Sequence, residues 1–133
     1  MPSDSDAIRA IAEEYASAVS SDDLDRLIAI FTDDAHFLTP DAPELVGTDA
    51  IRSWVKEKNF DPFVVQEQIA VTHLDMTDSW AYGRGTFAAS VTPRGGGDEL
   101  SGVGKWIGSF AKQSDGGWKW ASLIFNWDAP LGS

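Results

Sequence analysis

Residues 62–127 read PFVVQEQIAVTHLDMTDSWAYGRGTFAASVTPRGGGDELSGVGKWIGSFAKQSDGGWKWASLIFNW. Across this stretch β-branched and aromatic side chains arrive in four long runs, separated by turn-forming residues and without any helical spacing. The runs predict strands at about 63–74, 79–92, 100–113 and 117–127, with breaks at Asp75 to Asp78, Pro93 to Asp98 and Ser114 to Gly117. Short breaks between long runs make hairpins, so these strands pair antiparallel. Glycines stand inside two of the runs, Gly83 and Gly85 in one and Gly102, Gly104 and Gly108 in another. A glycine inside a strand marks a bend or bulge, and a long bent sheet must coil. Closed over helices, such a sheet leaves an opening between the two layers.

Upstream the period is that of helices. Ile8, Ile11, Ala12, Tyr15, Ala16 and Val19 recur at three-and-four spacing behind Ser3, Asp4, Ser5 and Asp6, which supply cap candidates and acids at the positive end of the helix. A shorter stripe of Leu24, Leu27, Ile28 and Phe31 predicts a second helix that stops near Thr32 to Asp34, and the link between the two allows only a helical hairpin. His36 to Thr39 reads as a short extended segment ended by Pro40 and Pro43, after which Val46 to Asp49 opens a third helix with Ile51, Trp54 and Val55 on its apolar face. Three helices followed by a run of strands predict an α+β fold over residues 1–133 as one domain. The helices lie on one face of a strongly curved, mixed or antiparallel sheet, giving a cone.

Composition narrows the partners. The chain of 133 residues carries 10 Lys and Arg against 21 Asp and Glu, a net charge of −11, and in its first 34 residues nine acids face two bases. An acidic surface repels phosphate backbones and anionic headgroups, so neither nucleic acid nor membrane is expected as a partner. The absence of cysteine removes disulfides and thiolate chemistry. The polar, acidic start Met-Pro-Ser-Asp-Ser-Asp does not resemble an export signal, and no apolar run approaches the ~20 residues of a membrane span, so a cytoplasmic location is expected. The two histidines and the scattered acids show no metal-ligand spacing, and no glycine loop has the residues that cradle phosphates, so no metal or cofactor is expected.

Two stretches carry a family resemblance. Ile11 to Trp54, IAEEYASAVSSDDLDRLIAIFTDDAHFLTPDAPELVGTDAIRSW, resembles the opening of the nuclear-transport-factor-2-like superfamily, the cone fold shared by ketosteroid isomerases and SnoaL-like polyketide cyclases. The likeness lies in the order of a helix with Tyr15, the DDLD turn, the FTDDAHF exit into a strand, and GTDAIR at the start of helix three. The closing stretch Lys105 to Pro130, with FAKQSDGGWKWASLIFNWDAP, is similar to the end of a SnoaL-like branch. For a ketosteroid isomerase the resemblance implies three groups: a helix-one tyrosine that hydrogen-bonds the substrate oxyanion, an aspartate base before the proline after the first strand, and a protonated aspartate on a later strand. Tyr15 matches the first. The base position falls on Thr39, whose hydroxyl takes no proton from carbon at neutral pH, and the third falls near Trp106 to Gly108, where there is no carboxylate. Steroid isomerisation is therefore not expected.

Other groups are weighed in both directions. His36 has a pKa suited to proton transfer, but strand alternation puts it on the face opposite Phe37 and Thr39, which favours a structural or interface role unless a bulge reverses it. Asp128, in the FNWDAP ending, either holds a ligand or caps the last strand. The catalytic candidates are thus Tyr15, His36 and Asp128. The six tryptophans are far more than a chain of this length usually carries, and each indole N–H wants a partner. Trp54 matches a pocket-facing aromatic of the isomerases, Trp106 and Trp127 sit on strands near the implied cavity, and Trp80, Trp118 and Trp120 are read as outer-face or dimer contacts. The expected pocket is apolar and lined by Tyr15, Val19, Phe31, Phe37, Trp54, Phe87, Trp106 and Trp127, with Thr39 and Asn126 as its polar groups. A small apolar or aromatic metabolite is the expected ligand, and a second copy of the chain, paired through the sheet, the expected protein partner. Three readings stay open: a cofactor-free isomerase, cyclase or dehydratase, a non-catalytic binding or association domain, and a packed core whose cavity admits no ligand.

Overall fold

The computed structural model describes residues 3–133. Helix α1 runs Asp4–Ser20, and its N-cap Ser3 accepts a hydrogen bond from the Asp6 amide at 3.1 Å. Its buried stripe is Ile8, Ile11, Ala12, Tyr15, Ala18 and Val19. The link of Ser21 to Asp23 turns the chain into α2, only Leu24–Ile28, capped by the Asp23 carboxylate on the Arg26 amide. Phe31 does not extend this helix. It opens strand β1 (Phe31–Leu38), because the Trp120 amide takes the Ile30 carbonyl at 2.8 Å and Phe31 pairs with Trp120. Sheet pairing here overrides a helix-like spacing, since a buried aromatic satisfies either period.

Strand β2 (Leu45–Val46) pairs antiparallel with β1, and α3 (Thr48–Val55) continues into one π-helical turn, Lys56–Phe60. Four long strands follow, β3 (Phe63–Met76), β4 (Trp80–Pro93), β5 (Leu100–Lys112) and β6 (Trp118–Trp127). All six form one sheet in the order β2-β1-β6-β5-β4-β3. Hairpins make β3 to β6 antiparallel, while β1 lies parallel to β6, so the sheet is mixed. A parallel pair needs a long crossover, and the rest of the chain between β1 and β6 provides it.

Alternation sorts each strand onto two faces. In β4, Ala81, Gly83, Gly85, Phe87, Ala89 and Val91 are buried toward the helices, while Arg84, Thr86 and Ala88 are exposed on the other side. Register shifts between Val71 and His73 and between Ser109 and Phe110 reset this parity locally. Gly104 is required by close approach: a Cβ there would collide with the Asn126 carbonyl and come within 2.5 Å of the Phe87 ring. The fully buried large side chains, among them Ile8, Leu27, Phe31, Phe37, Ile51, Phe110 and Trp120, join helices and sheet in one core. Among the described residues no helix is long and apolar enough to cross a membrane.

Candidate active site

Strand β3 alternates apolar residues toward the helices, and the residue between Val65 and Ile69 at that parity is Glu67. Both flanking residues, Gln66 and Gln68, are exposed. The backbone of Glu67 is tied to the last residue of α1: its amide donates to Ser20 Oγ at 2.9 Å, and the hydroxyl donates to its carbonyl at 3.3 Å. The residue as a whole is partly buried, but Oε2 is fully buried and has no hydrogen-bond partner. An unsolvated carboxylate is costly, and burial pushes the Glu67 pKa up to about 8. At neutral pH the group is therefore mostly protonated.

Tyr15 stands opposite, on α1, and is also buried. Its ring meets Phe31 and Trp120 edge-on, each at 6.3 Å between centroids. Burial, and next the charge of Glu67, raise the phenol well above its usual pKa, so Tyr15 remains a neutral donor.

Two small cavities meet at this pair. One, of about 30 Å³, lies among Tyr15, Glu67, Phe87, Trp106, Trp120 and Phe125. The other, of about 60 Å³, extends from Tyr15, Glu67, Phe87 and Phe125 toward Val19, Trp54, Asn59 and Trp127. Together they hold a few water-sized groups. A much larger depression of about 550 Å³ lies at one end of β3, β4 and β5 beside Asp128 and Pro130, and Glu67 lines it as well.

Of the expected pocket residues, Tyr15, Val19, Trp54, Phe87, Trp106 and Trp127 line one or other inner cavity. Phe31 and Phe37 stand one layer behind: Phe31 packs on Tyr15, and Phe37 on Trp54 at 5.7 Å and on Phe125 at 5.8 Å. Thr39 is buried with its Oγ1 unpartnered, away from both cavities. Asn126 sits opposite Lys105 in the β5–β6 register and faces the open side of the sheet, where it lines a depression with Thr72, Arg84 and Ile124. The reason is parity, since its neighbours Phe125 and Trp127 take the inward positions.

The other two catalytic candidates are apart from Tyr15. His36 is half-exposed, with Nδ1 2.6 Å from Glu44 Oε1 at the β1–β2 end of the sheet, as alternation requires. Asp128 accepts from Lys105 Nζ at 2.8 Å, and its amide donates to the Val103 carbonyl, so it fastens the end of β6. Two tryptophans correct the expected outer placement. Trp120 is fully buried, and Trp118 is buried with Nε1 donating to Asp4 at 3.1 Å, whereas Trp80 is exposed. Glu67 escaped the sequence reading altogether. Its signal was present: an acid at the apolar parity of a strand, between Val65 and Ile69. Among the described residues no three His, Asp or Glu side chains gather as a metal site.

Known proteins resemble this chain in fold. It superposes on a conserved protein from Planctomyces limnophilus DSM 3776 with a TM-score of 0.82 at 24% identity, covering 91% of this chain and 94% of that one. A ketosteroid isomerase-like protein from Erwinia carotovora atroseptica SCRI1043 gives 0.83 at 22% identity, covering 93% and 95%. A hexachlorocyclohexane dehydrochlorinase from Novosphingobium barchaimii LL02 gives 0.81 at 16% identity, covering 92% and 85%. No curated protein matches it. The model of the SnoaL-like domain matches residues 2–124, nearly the whole chain, and the chain belongs to that family.

Proposed function

We propose that this SnoaL-like domain is a cone whose interior takes a small, uncharged, largely apolar ligand, and that Glu67 and Tyr15 carry out cofactor-free proton transfer on it. The observation that supports this reading is the buried Glu67 carboxyl, which has no protein partner for Oε2 and faces the cavity it shares with Tyr15. A buried acid with a pKa of about 8 is matched to proton transfer near neutrality. Protonated, it donates to an oxygen of the ligand; ionised, it accepts a proton. Tyr15, held neutral, hydrogen-bonds oxygen on which negative charge develops. The pair supplies an arrangement that the family resemblance sought at Thr39 and near Trp106, with the carboxyl coming instead from β3. The same fold occurs in proteins named as ketosteroid isomerase-like and as a dehydrochlorinase, which suits proton-transfer chemistry in such a cone.

The size of the interior favours a second reading, a binding or association domain without catalysis. Cavities of about 30 and 60 Å³ are far below the usual range of ~300–1,000 Å³ for drug-sized ligands. On either reading the open side of the sheet, with Val64, Val103, Ile107 and Ile124 exposed, is covered by a second copy of the chain. The deciding experiment incubates the protein with small cyclic ketones, alcohols and halides and follows them by NMR and native mass spectrometry. Chemical change that disappears in Glu67→Gln supports the enzyme, whereas a ligand retained unchanged by both proteins supports the binder.

A further inference from the structure

The 60 Å³ cavity is walled on one side by Trp54 and Val55 of α3 and by Asn59 and Phe60 of the π-helical turn that follows. Phe60 also lines a depression of about 340 Å³ on the outer surface, with Asp22, Leu24, Lys56, Asp61 and Arg94, and among the described residues no other lines both. One buried residue thus stands between the interior and a hollow open to solvent. The turn that carries it has little else to hold it. Lys56, Glu57 and Lys58 are exposed, and Phe60 is its one buried residue. The Asp61 amide donates to the Lys56 carbonyl at 2.8 Å, five residues back, the wide turn that proteins use in single pieces, frequently at functional sites. Lys56 pairs with Asp61 at 2.9 Å, but that bond lies within the turn.

Arg94, just past β4, fastens the turn from outside. Its Nε donates to the Phe60 carbonyl at 2.7 Å, and its Nη2 lies 3.0 Å from Asp22 Oδ2. Its amide donates to the Pro62 carbonyl at 2.9 Å, so the guanidinium projects from a fixed end of the sheet. Asp22 holds a left-handed backbone, at φ 57°. The Asp22 and Asp23 amides close the end of α1 on the Val19 and Ala18 carbonyls, at 3.2 and 2.9 Å, an arrangement in which glycine is the usual residue at the position of Asp22. An aspartate there accepts backbone strain that glycine avoids, and the carboxylate gained is the one that holds Arg94.

We infer that Phe60 is the door of the interior, that the π-helical turn swings it outward into the surface hollow, and that Arg94 latches it shut between the Phe60 carbonyl and Asp22. The closed interior holds only a few water-sized groups, so a larger molecule needs a wall that moves. Opening breaks the hydrogen bond to Arg94 and uncovers one aromatic ring, a local event in which the strands stay paired. The use of the door rests on the reading of the interior as a ligand site; the motion itself does not.

The test follows amide hydrogen exchange by NMR in the full chain. In Arg94→Ala the Asp61 amide, which reports the π-helical turn, exchanges about tenfold faster, the loss expected for one hydrogen bond, while the Phe87 and Trp106 amides in the middle of the sheet keep their wild-type rates. Asp22→Gly removes the carboxylate and relieves the left-handed backbone. It speeds Asp61 exchange about threefold, as for a half-exposed ion pair, without lowering the melting temperature. Asp61 exchange that is unchanged in the variants, or that rises only in step with Phe87 and Trp106, overturns the inference, and Asp22→Gly decides this even where Arg94→Ala fails to fold. Benzene, too large for the closed cavities, tests the use of the door. Its rate of entry, read from exchange broadening of the Val19 and Leu27 methyl resonances, rises together with Asp61 exchange. Entry at the wild-type rate despite faster Asp61 exchange overturns Phe60 as the door. If benzene reaches these methyls in none of the proteins while Asp61 exchange rises as expected, the latch stands and the ligand-site reading falls.

Discussion

Ser20 Oγ forms two hydrogen bonds with the backbone of Glu67, accepting from its amide at 2.9 Å and donating to its carbonyl at 3.3 Å. The last residue of α1 is thus riveted to the middle of β3, at the position that carries the buried acid. The bond joins residues 47 apart in sequence. Replacing Ser20 by Ala strands a partly buried amide and carbonyl and should lower stability by about 1–2 kcal/mol in urea unfolding. It should also let water reach the carboxyl, so that Glu67 titrates closer to 4.5, read by carboxyl ¹³C NMR. Ser20→Thr keeps the hydroxyl and should restore both. An unchanged titration in Ser20→Ala would detach the clamp from the acid.

The raised pKa of Glu67 fixes the sign of its pH dependence. In the unfolded chain the group titrates near 4.5, and in the folded protein at about 8, so between these values the folded state holds the extra proton. Its contribution to stability is complete below pH 4.5 and is lost as pH rises through 8, the reverse of a salt-bridged carboxylate. The shift corresponds to about 3–5 kcal/mol at most. Urea unfolding at pH 5, 7 and 9 should show stability falling across this window, and Glu67→Gln, neutral at every pH, should flatten the fall. A wild-type profile identical to that of the variant would refute the shift.

On the proposed reading the Tyr15 hydroxyl serves chemistry more than stability. Its ring packs on Phe31 and Trp120, contacts that Phe keeps. Tyr15→Phe should therefore stay within about 1 kcal/mol of wild type in unfolding, while turnover of a true substrate falls by about 10²–10³. An unchanged rate would remove the hydroxyl from the mechanism.

Gly104 on β5 sits opposite Phe87 of β4 and Trp127 of β6. Its missing Cβ leaves room for the Phe87 ring, which in turn meets Phe125 at 5.5 Å and Trp127 at 5.0 Å. Gly104→Ala should cost more than about 2 kcal/mol, because the first obstruction is the Asn126 carbonyl and backbone cannot step aside as a side chain can. Gly95, at the β4–β5 turn, has open space around it, and Gly95→Ala serves as the neutral control in thermal unfolding.

The open side of the sheet predicts association. Val103 is 55% exposed and Ile107 42%, both on β5 with Ile124 of β6 beside them. Ile107→Asp should convert a dimer to a monomer in sedimentation analysis without changing the far-ultraviolet spectrum. A wild-type protein that is monomeric at all concentrations would remove this interface.

Much of this was legible in the chain. Alternation of β-branched and aromatic residues from Phe63 onward determined four strands and their hairpins, because a period of two survives any later packing. The three-and-four spacing around Tyr15 determined α1 and its buried face in the same way. Phe31 was not legible, since its place depends on Trp120, 89 positions away, pairing with it across a parallel ladder. The acid at the site was written in the sequence as an anomaly of parity at Glu67, but an isolated carboxylate in a strand carries no mark of how deeply it is buried.

The sequence by itself determined the layers and the aromatic wealth of the interior, which follow from local periodicity and residue type, and the family, which follows from resemblance to known sequences. Only the tertiary structure decided which polar groups meet. Bulges after Val71 and Ser109 set which residues turn inward, and helix docking through Ser20 brings Glu67 and Tyr15 to one cavity while leaving His36, Asn126 and Asp128 outside it. Long-range packing sets desolvation, and desolvation makes an ordinary glutamate into a neutral acid at pH 7.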